Sequence, residues 1–220
     1  MQLIDELVAE HDLIEKVLES MRAFVDARIR GSAEPSDGVR FIRFFRIFAG
    51  HFHHAREEGI LFVALVQKAE LPADRGPIAV MIADHARLAG LLDQMEPLFG
   101  TTDLDPASSD RMQTLAVAYS RALWHHIDAE NSVLLPESEE RLRRHHVTEL
   151  PSRALSEEEQ EARSCGVDLL AKYPPIRDAE ALRGDGCALC PAFGNACRGL
   201  EREWWNEWEW EEHEDNVPKD

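Results

Sequence analysis

Two short segments of the chain place a histidine and a glutamate at the spacing of one helical turn. His53 is followed four residues later by Glu57, and His126 is followed four residues later by Glu130. On an α-helix, residues i and i+4 lie on one face, so each segment directs an imidazole and a carboxylate to the same point. Imidazole nitrogen and carboxylate oxygen suit iron, manganese and zinc. Two such helices facing each other would surround one or two metal ions.

The register of the first segment is open, because His54 and Glu58 have the same spacing. Aligning the two segments by the apolar pairs that follow them, Leu61-Phe62 and Leu134-Leu135, selects the earlier pair. Aligning them by their double histidines selects the later pair. We favour the earlier pair, because the apolar residues indicate which face of the helix is inward. This register would turn Arg56 and Glu58 more outward.

Two further histidines lie in apolar helical stripes, His11 near the start of the chain and His85 in its middle. A single histidine in such a stripe is more often a core residue than a ligand, but one per helix beside two His–Glu pairs favours metal binding. Carboxylates can bridge two metals, so two glutamates suggest a dinuclear centre. The candidate ligands are His11, His53, Glu57, His85, His126 and Glu130. The remaining histidines near them, His51, His54 and His125, are expected on the surface or beside a ligand.

Four amphipathic helices are needed to position these side chains. Apolar residues recur at spacings of three and four, separated by segments rich in Gly, Pro and Ser. No segment alternates polar and apolar residues as a strand does. The pattern predicts an all-α, up-down-up-down four-helix bundle within residues 1–147. The predicted helices span residues 2–29, 39–70, 78–99 and 111–135, with Pro136 bending or ending the last one or further turns extending it.

The local strings HHAREEGILF and HIDAENSVLLP, with one further histidine on each of the other two helices, resemble the hemerythrin-like (HHE cation-binding) family over about residues 1–145. This resemblance implies a non-haem di-iron centre held by the six candidate ligands. Oxygen-carrying members have another histidine four residues after the third-helix histidine, where this chain has Ala89. The four-His, two-Glu set instead resembles di-iron proteins linked to repair of iron centres, which favours a more open, reactive site.

The predicted extension, residues 148–220, has a different character. It begins with a short acidic helix for which Ser156 and Glu159 form a capping box. All four cysteines lie in it, and four thiolates would bind an iron-sulfur cluster or a zinc ion. Four of the five tryptophans lie within residues 204–210, and we expect this tail to dock on the bundle or on a partner. The cysteines are Cys165, Cys187, Cys190 and Cys197.

The charge of the chain restricts its partners. The net charge is −18 and the sequence pI is near 4.9, which argues against nucleic acid and anionic membranes as partners. No run of apolar residues is long enough to span a membrane, and the acidic, amphipathic start does not read as a signal peptide. We therefore expect a cytoplasmic protein.

Two functions follow from these expectations. In the first, the di-iron centre binds or reacts with O2, NO or peroxide, in a sensing, detoxifying or redox role. In the second, the bundle stores or donates iron or repairs iron centres, and the Cys/Trp-rich tail docks a redox or protein partner.

Overall fold

The computed structural model describes residues 1–176, and every regular element in that part of the chain is helical. We number five helices, two of which contain segments of different winding. They are α1 (Gln2–Ile29), α2 (residues 35–69), α3 (Gly76–Phe99), α4 (residues 106–144) and α5 (Glu157–Lys172). The all-α bundle predicted from the sequence is confirmed. None of the described helices is both long and apolar enough to cross a membrane.

Helices α2 and α4 are continuous but change from α to π winding beside the candidate ligands. In α2 the π segments are Phe44–His54 and Glu57–Phe62, between α-helical ends at Pro35–Arg43 and Val63–Ala69. In α4 one π segment separates two α-helical segments; the three are Pro106–Ala129, Glu130–Leu134 and Leu135–Arg144. A π turn closes hydrogen bonds five residues apart and occurs mostly near functional sites.

The π turn of α4 explains why the helix continues through Pro136 and ends at Arg144. A proline inside an α-helix lacks an amide proton, and its ring meets the carbonyl four residues earlier. Here the amide of Leu135 bonds the carbonyl of Glu130, five residues back, so the helix is widened directly before the proline. Of the alternatives for this region, the extended helix is the one observed.

The core consists of two apolar clusters separated along every bundle helix by the candidate ligands. In α1, Leu7 belongs to one cluster and Ile14 to the other, with His11 between them. The order of the two clusters reverses in α2, reverses again in α3, and again in α4. Adjacent helices are therefore antiparallel, and the histidines and glutamates form one polar layer across the bundle.

Helix α5 lies within the predicted extension and packs on α1 and α2. Its capping box is confirmed: Ser156 Oγ accepts from the amide of Glu159, whose side chain accepts from the amide of Ser156. Its far end is held by Tyr173, whose hydroxyl donates to Asp37 at 2.7 Å and whose carbonyl accepts from Ser20 Oγ at 2.6 Å. The helix buries its inner face in the larger of the two clusters.

Candidate metal centre

The polar layer contains five histidines and two glutamates, and each is at most 9% exposed. All six candidate ligands predicted from the sequence lie in it. The seventh member is His54, which we expected on the surface or beside a ligand. The layer consists of His11 from α1, His53, His54 and Glu57 from α2, His85 from α3, and His126 and Glu130 from α4.

The layer divides into two groups of four residues that share Glu57. In each group the candidate ligand atoms all lie within 4.8 Å of one another, a separation at which one ion can be bound. We call them the inner half-site and the outer half-site. The inner half-site is His11, His53, Glu57 and Glu130, and the outer half-site is His54, His85, His126 and Glu57.

Both carboxylates lie between the half-sites. Glu57 Oε1 is 3.3 Å from Nε2 of His53, while its Oε2 is 3.5 Å from Nε2 of His85. Glu130 Oε2 is 3.2 Å from Nε2 of His11 and 3.3 Å from Nε2 of His126. Each glutamate therefore faces one imidazole of each half-site, which is the arrangement that a bridging ligand requires.

The two carboxylates fit metal ions because the described residues offer them nothing else. Glu57 and Glu130 are fully buried, and none of their four oxygens accepts a hydrogen bond. Burial raises the pKa of both side chains well above 4.5, and the neighbouring Glu130 raises that of Glu57 further. A buried carboxylate without a partner is costly. Two divalent cations between them would remove that cost.

The imidazoles are spaced as ligands of common ions. Nε2 of His11 and Nε2 of His53 are 2.9 Å apart, and those of His85 and His126 are 3.1 Å apart. Two nitrogens bound at about 2.1 Å to one ion and at a right angle would be about 3.0 Å apart. The two pairs therefore match the geometry of two ions with two of these imidazoles on each.

Hydrogen bonds on the outer side of three rings keep Nε2 directed inward. Nδ1 of His53 donates to Glu10 Oε2 at 2.8 Å, and Nδ1 of His85 donates to Glu58 Oε1 at 2.6 Å. Nδ1 of His11 donates to the amide oxygen of Asn131 at 2.8 Å. A carboxylate or amide oxygen accepts from the protonated nitrogen of the ring, so these contacts favour the tautomer with the proton on Nδ1 and leave Nε2 free for a metal.

Burial also keeps the imidazoles in the form that binds metals. Burial, together with the neighbouring imidazoles, lowers the pKa of His53 and His54 well below 6.5. Burial lowers the pKa of His126 to about 4, although the nearby Asp84 opposes this shift. These three rings are therefore neutral near pH 7. Only neutral imidazole is a metal ligand, so metal binding at neutral pH does not have to remove a proton from them.

The π winding of α2 places both histidines of the first segment in the layer, but only the earlier of its two glutamates. His53 and Glu57 face the layer, and Glu58 lies at the surface behind His85. His54 also faces inward, with its ring stacked on His85 at 3.9 Å and 8°. A wider turn brings consecutive residues closer in direction. The two consecutive histidines were the sequence signal for a second inward imidazole. Regular α-helical spacing, however, predicts that only one of two consecutive residues faces inward.

Two other expectations about these helices have different outcomes. Arg56 was expected to face more outward, and this is wrong: it is 1% exposed and pairs with Glu6 and Glu10. Its two carboxylate partners on α1 offset the free-energy cost of burying its charge. The position of the absent third-helix histidine, Ala89, is exposed, and the fifth imidazole of the layer comes from α2 instead. His51 and His125 are exposed, as expected.

The predicted four-cysteine site is described only at its first member. Cys165 lies on α5, half-buried, where its sulfur accepts a hydrogen bond from Arg40 Nε at 3.1 Å. Cys187, Cys190 and Cys197 lie outside the described residues, as does the tryptophan-rich tail. The iron-sulfur or zinc site therefore stays a prediction.

An antiparallel bundle that directs five imidazoles and two carboxylates into one buried layer defines a cation-binding four-helix bundle. The family model for the Hemerythrin HHE cation binding domain matches residues 2–138, and the chain belongs to this family. Comparison with curated proteins and with solved structures gave no match.

Proposed function

We propose that the protein binds two non-haem iron ions in the polar layer and uses them to bind or react with O2, NO or peroxide. The observation that carries this proposal is the pair of buried glutamates, whose four oxygens accept no hydrogen bond and face imidazoles of both half-sites. Carboxylate and imidazole ligands together suit iron. Iron bound there would supply the electrons for reduction of a small oxidant or the binding position for a diatomic ligand.

The residues of the chain would hold the ions and control their surroundings. The neutral imidazoles bind through Nε2, and the two glutamates neutralise part of the ionic charge. An ion in the inner half-site would have four protein ligands and, at six-coordinate iron, about two further positions for a small ligand. The apolar clusters above and below the layer exclude water, which strengthens the electrostatic interactions within it.

An alternative function is storage or donation of iron, or repair of iron centres, with the Cys/Trp-rich tail docking a redox or protein partner. The observation that favours it is the residual exposure of the outer half-site, where His54 is 9% and His85 is 7% exposed. An ion near the surface can be delivered or withdrawn more easily than one enclosed by the core. Iron transfer to a metal-free acceptor, without turnover of O2 or NO, would favour this alternative.

The decisive experiment is iron loading of the full-length protein in the absence of air. We expect about two iron ions per chain in the bundle, and a change in the absorption spectrum on addition of O2 or NO. Mössbauer spectra of protein purified without air would separate a di-iron centre from iron at the cysteines. Replacement of Glu57 by Gln should weaken the binding of both ions, whereas the exposed control Glu140→Gln should weaken the binding of neither. Well under one iron per chain in the wild type would refute the proposal.

A further inference from the structure

A buried arginine lies directly behind the inner half-site. Arg56 precedes the ligand Glu57 in α2, and its side chain is 1% exposed. Its guanidinium donates from Nη1 to Glu10 Oε1 at 2.5 Å and from Nη2 to Glu6 Oε2 at 2.6 Å. Arginine stays charged under all ordinary conditions. Two ion pairs to α1 therefore hold the guanidinium in place. Breaking them would leave a buried charge unpaired.

Glu10 connects this arginine to a ligand of the layer. One of its oxygens accepts from Arg56, and the other accepts from Nδ1 of His53. The opposite nitrogen of the same ring, Nε2, lies 3.3 Å from Glu57. Because both oxygens of Glu10 are engaged, the carboxylate cannot turn without breaking one of these bonds, and the imidazole of His53 cannot turn away from the layer.

The segment before α5 covers this network from outside. Ser152 Oγ donates to Glu6 Oε2 at 2.5 Å. The ring of Phe52 lies against the guanidinium of Arg56 at 4.5 Å and that of Arg153 at 4.8 Å. Arg153 in turn donates to both carboxylate oxygens of Glu159. The support of His53 is therefore enclosed by α1, α2 and the chain that leads into α5.

The outer half-site has weaker support of the same kind. Glu58, which accepts from His85, has 43% of its side chain exposed, compared with 15% for Glu10. Asp84 lies 3.9 Å from Nδ1 of His126, within ion-pair range but beyond hydrogen-bond distance, and this nitrogen donates no hydrogen bond among the described residues. An exposed acceptor can exchange its imidazole for water. The outer imidazoles are thus freer to turn than His53.

We propose that Glu10 and Arg56 are positioning residues that hold His53 for the ion of the inner half-site, and that they make this ion the more slowly exchanging of the two. The inference rests on the proposed binding of two ions in the layer. Release of an ion requires its ligands to turn away one after another. Hydrogen-bond partners of metal-binding imidazoles typically change metal affinity by about 10–100-fold, and only His53 has a partner that is itself fixed by a buried ion pair.

The test is removal of Co²⁺ from the loaded full-length protein by a chelator, followed by the visible absorption of the bound cobalt. We expect two phases for the wild type. Glu10→Gln should accelerate the slow phase by about 10–100-fold and leave the fast phase unchanged. The matched variant on the other half-site, Glu58→Gln, should accelerate only the fast phase. Glu140→Gln, in an exposed ion pair with Arg144, should change neither.

The contribution of the arginine is tested by Arg56→Lys, which keeps the charge but replaces the two separate amino groups of the guanidinium, one on each carboxylate, with a single ammonium. It should accelerate the slow phase and shift the cobalt bands of the slow phase alone, an effect that a general loss of stability would not produce. Arg46→Met, on the surface of α2 with Asp93 and Glu96, is the control. Equal acceleration of both phases by Glu10→Gln, or of neither, would overturn the inference. If the wild type binds two ions but its spectrum does not change on addition of O2 or NO, the proposed reactivity is refuted and this inference is unaffected.

Discussion

At the scale of single residues, the main feature is that the inward-facing carboxylate oxygens of the layer form no hydrogen bond with the described residues. Glu57 and Glu130 face each other with no hydrogen-bond donor among the described residues. Nδ1 of His53, His85 and His11 has a polar acceptor, whereas Nε2 faces inward. Nδ1 of each of these three rings is thus hydrogen-bonded, and Nε2 lies among the other candidate metal ligands.

His54 provides the sharpest residue-scale prediction. Its ring stacks on His85 and completes the outer half-site. His54→Ala should therefore lose about one of two metal ions per chain, because the outer ion would keep only two imidazoles, His85 and His126, beside carboxylates that it shares with the inner ion. Metal analysis of the purified protein measures the loss. The exposed neighbour His51, replaced in the same way, should retain both ions; two ions retained in His54→Ala would contradict the assignment.

At the scale of helices, the π turns of α2 and α4 are what allow the candidate ligands to converge. Each π segment begins or ends at a candidate ligand: Phe44–His54, Glu57–Phe62 and Glu130–Leu134. Regular α winding would separate consecutive side chains by a larger rotation and direct His53 and His54 to different faces. These turns are held by tertiary packing on both sides, since the Phe-rich stretch of α2 is buried against α5 and α4.

The packing of α5 on α2 depends on a glycine. A Cβ at Gly166 would lie 2.4 Å from Cδ2 of Phe44, whose side chain is fully buried. Gly166→Ala should therefore destabilise the protein by about 1–3 kcal/mol through overpacking, measured as a lower midpoint of thermal unfolding. The control Gly90→Ala has no atom within 4 Å of the new Cβ and should stabilise α3 by about 0.5–1 kcal/mol. Equal effects of the two variants would show that α5 does not pack as described.

At the scale of the whole molecule, the polar layer costs stability until it is filled. It divides the core into two apolar clusters and buries two carboxylates that must be protonated or bound to cations. Folding and metal binding are therefore coupled: ions that bind the folded chain stabilise it, and they must displace protons to do so.

The pH dependence of the metal-free protein follows from this coupling. The folded pKa values of Glu57 and Glu130 are raised above the 4.5 of the unfolded chain, so the folded state holds protons that the unfolded state has released. The stabilisation that these bound protons give the folded state is fully present below pH 4.5 and is lost as pH rises toward the folded pKa values. The buried imidazoles act in the opposite sense, and only below about pH 6.5, where the unfolded chain gains protons that they do not.

As pH rises above 4.5, the raised carboxyl pKa values should therefore lower the thermal stability of the metal-free protein relative to a variant that lacks these two carboxylates. The double variant Glu57→Gln, Glu130→Gln should lose this part of the slope, and loading with metal should abolish it in the wild type. The comparison with the variant is needed because the N-terminal amine, held by Glu139, has a raised pKa of its own. A wild-type slope equal to that of the variant would contradict the pKa directions.

What the sequence determined by itself is local or periodic. The helices, the capping box at Ser156 and the choice of four helix faces follow from apolar spacing and turn residues, and the six ligands proposed from it meet in one layer. Only the tertiary structure decided that His54 and Arg56 are buried and that α5 joins the core. The reason is physical. A π turn holds an additional residue and so changes which side chains face the core, and contacts with other helices stabilise it; the spacing of apolar residues along one helix does not reveal these contacts.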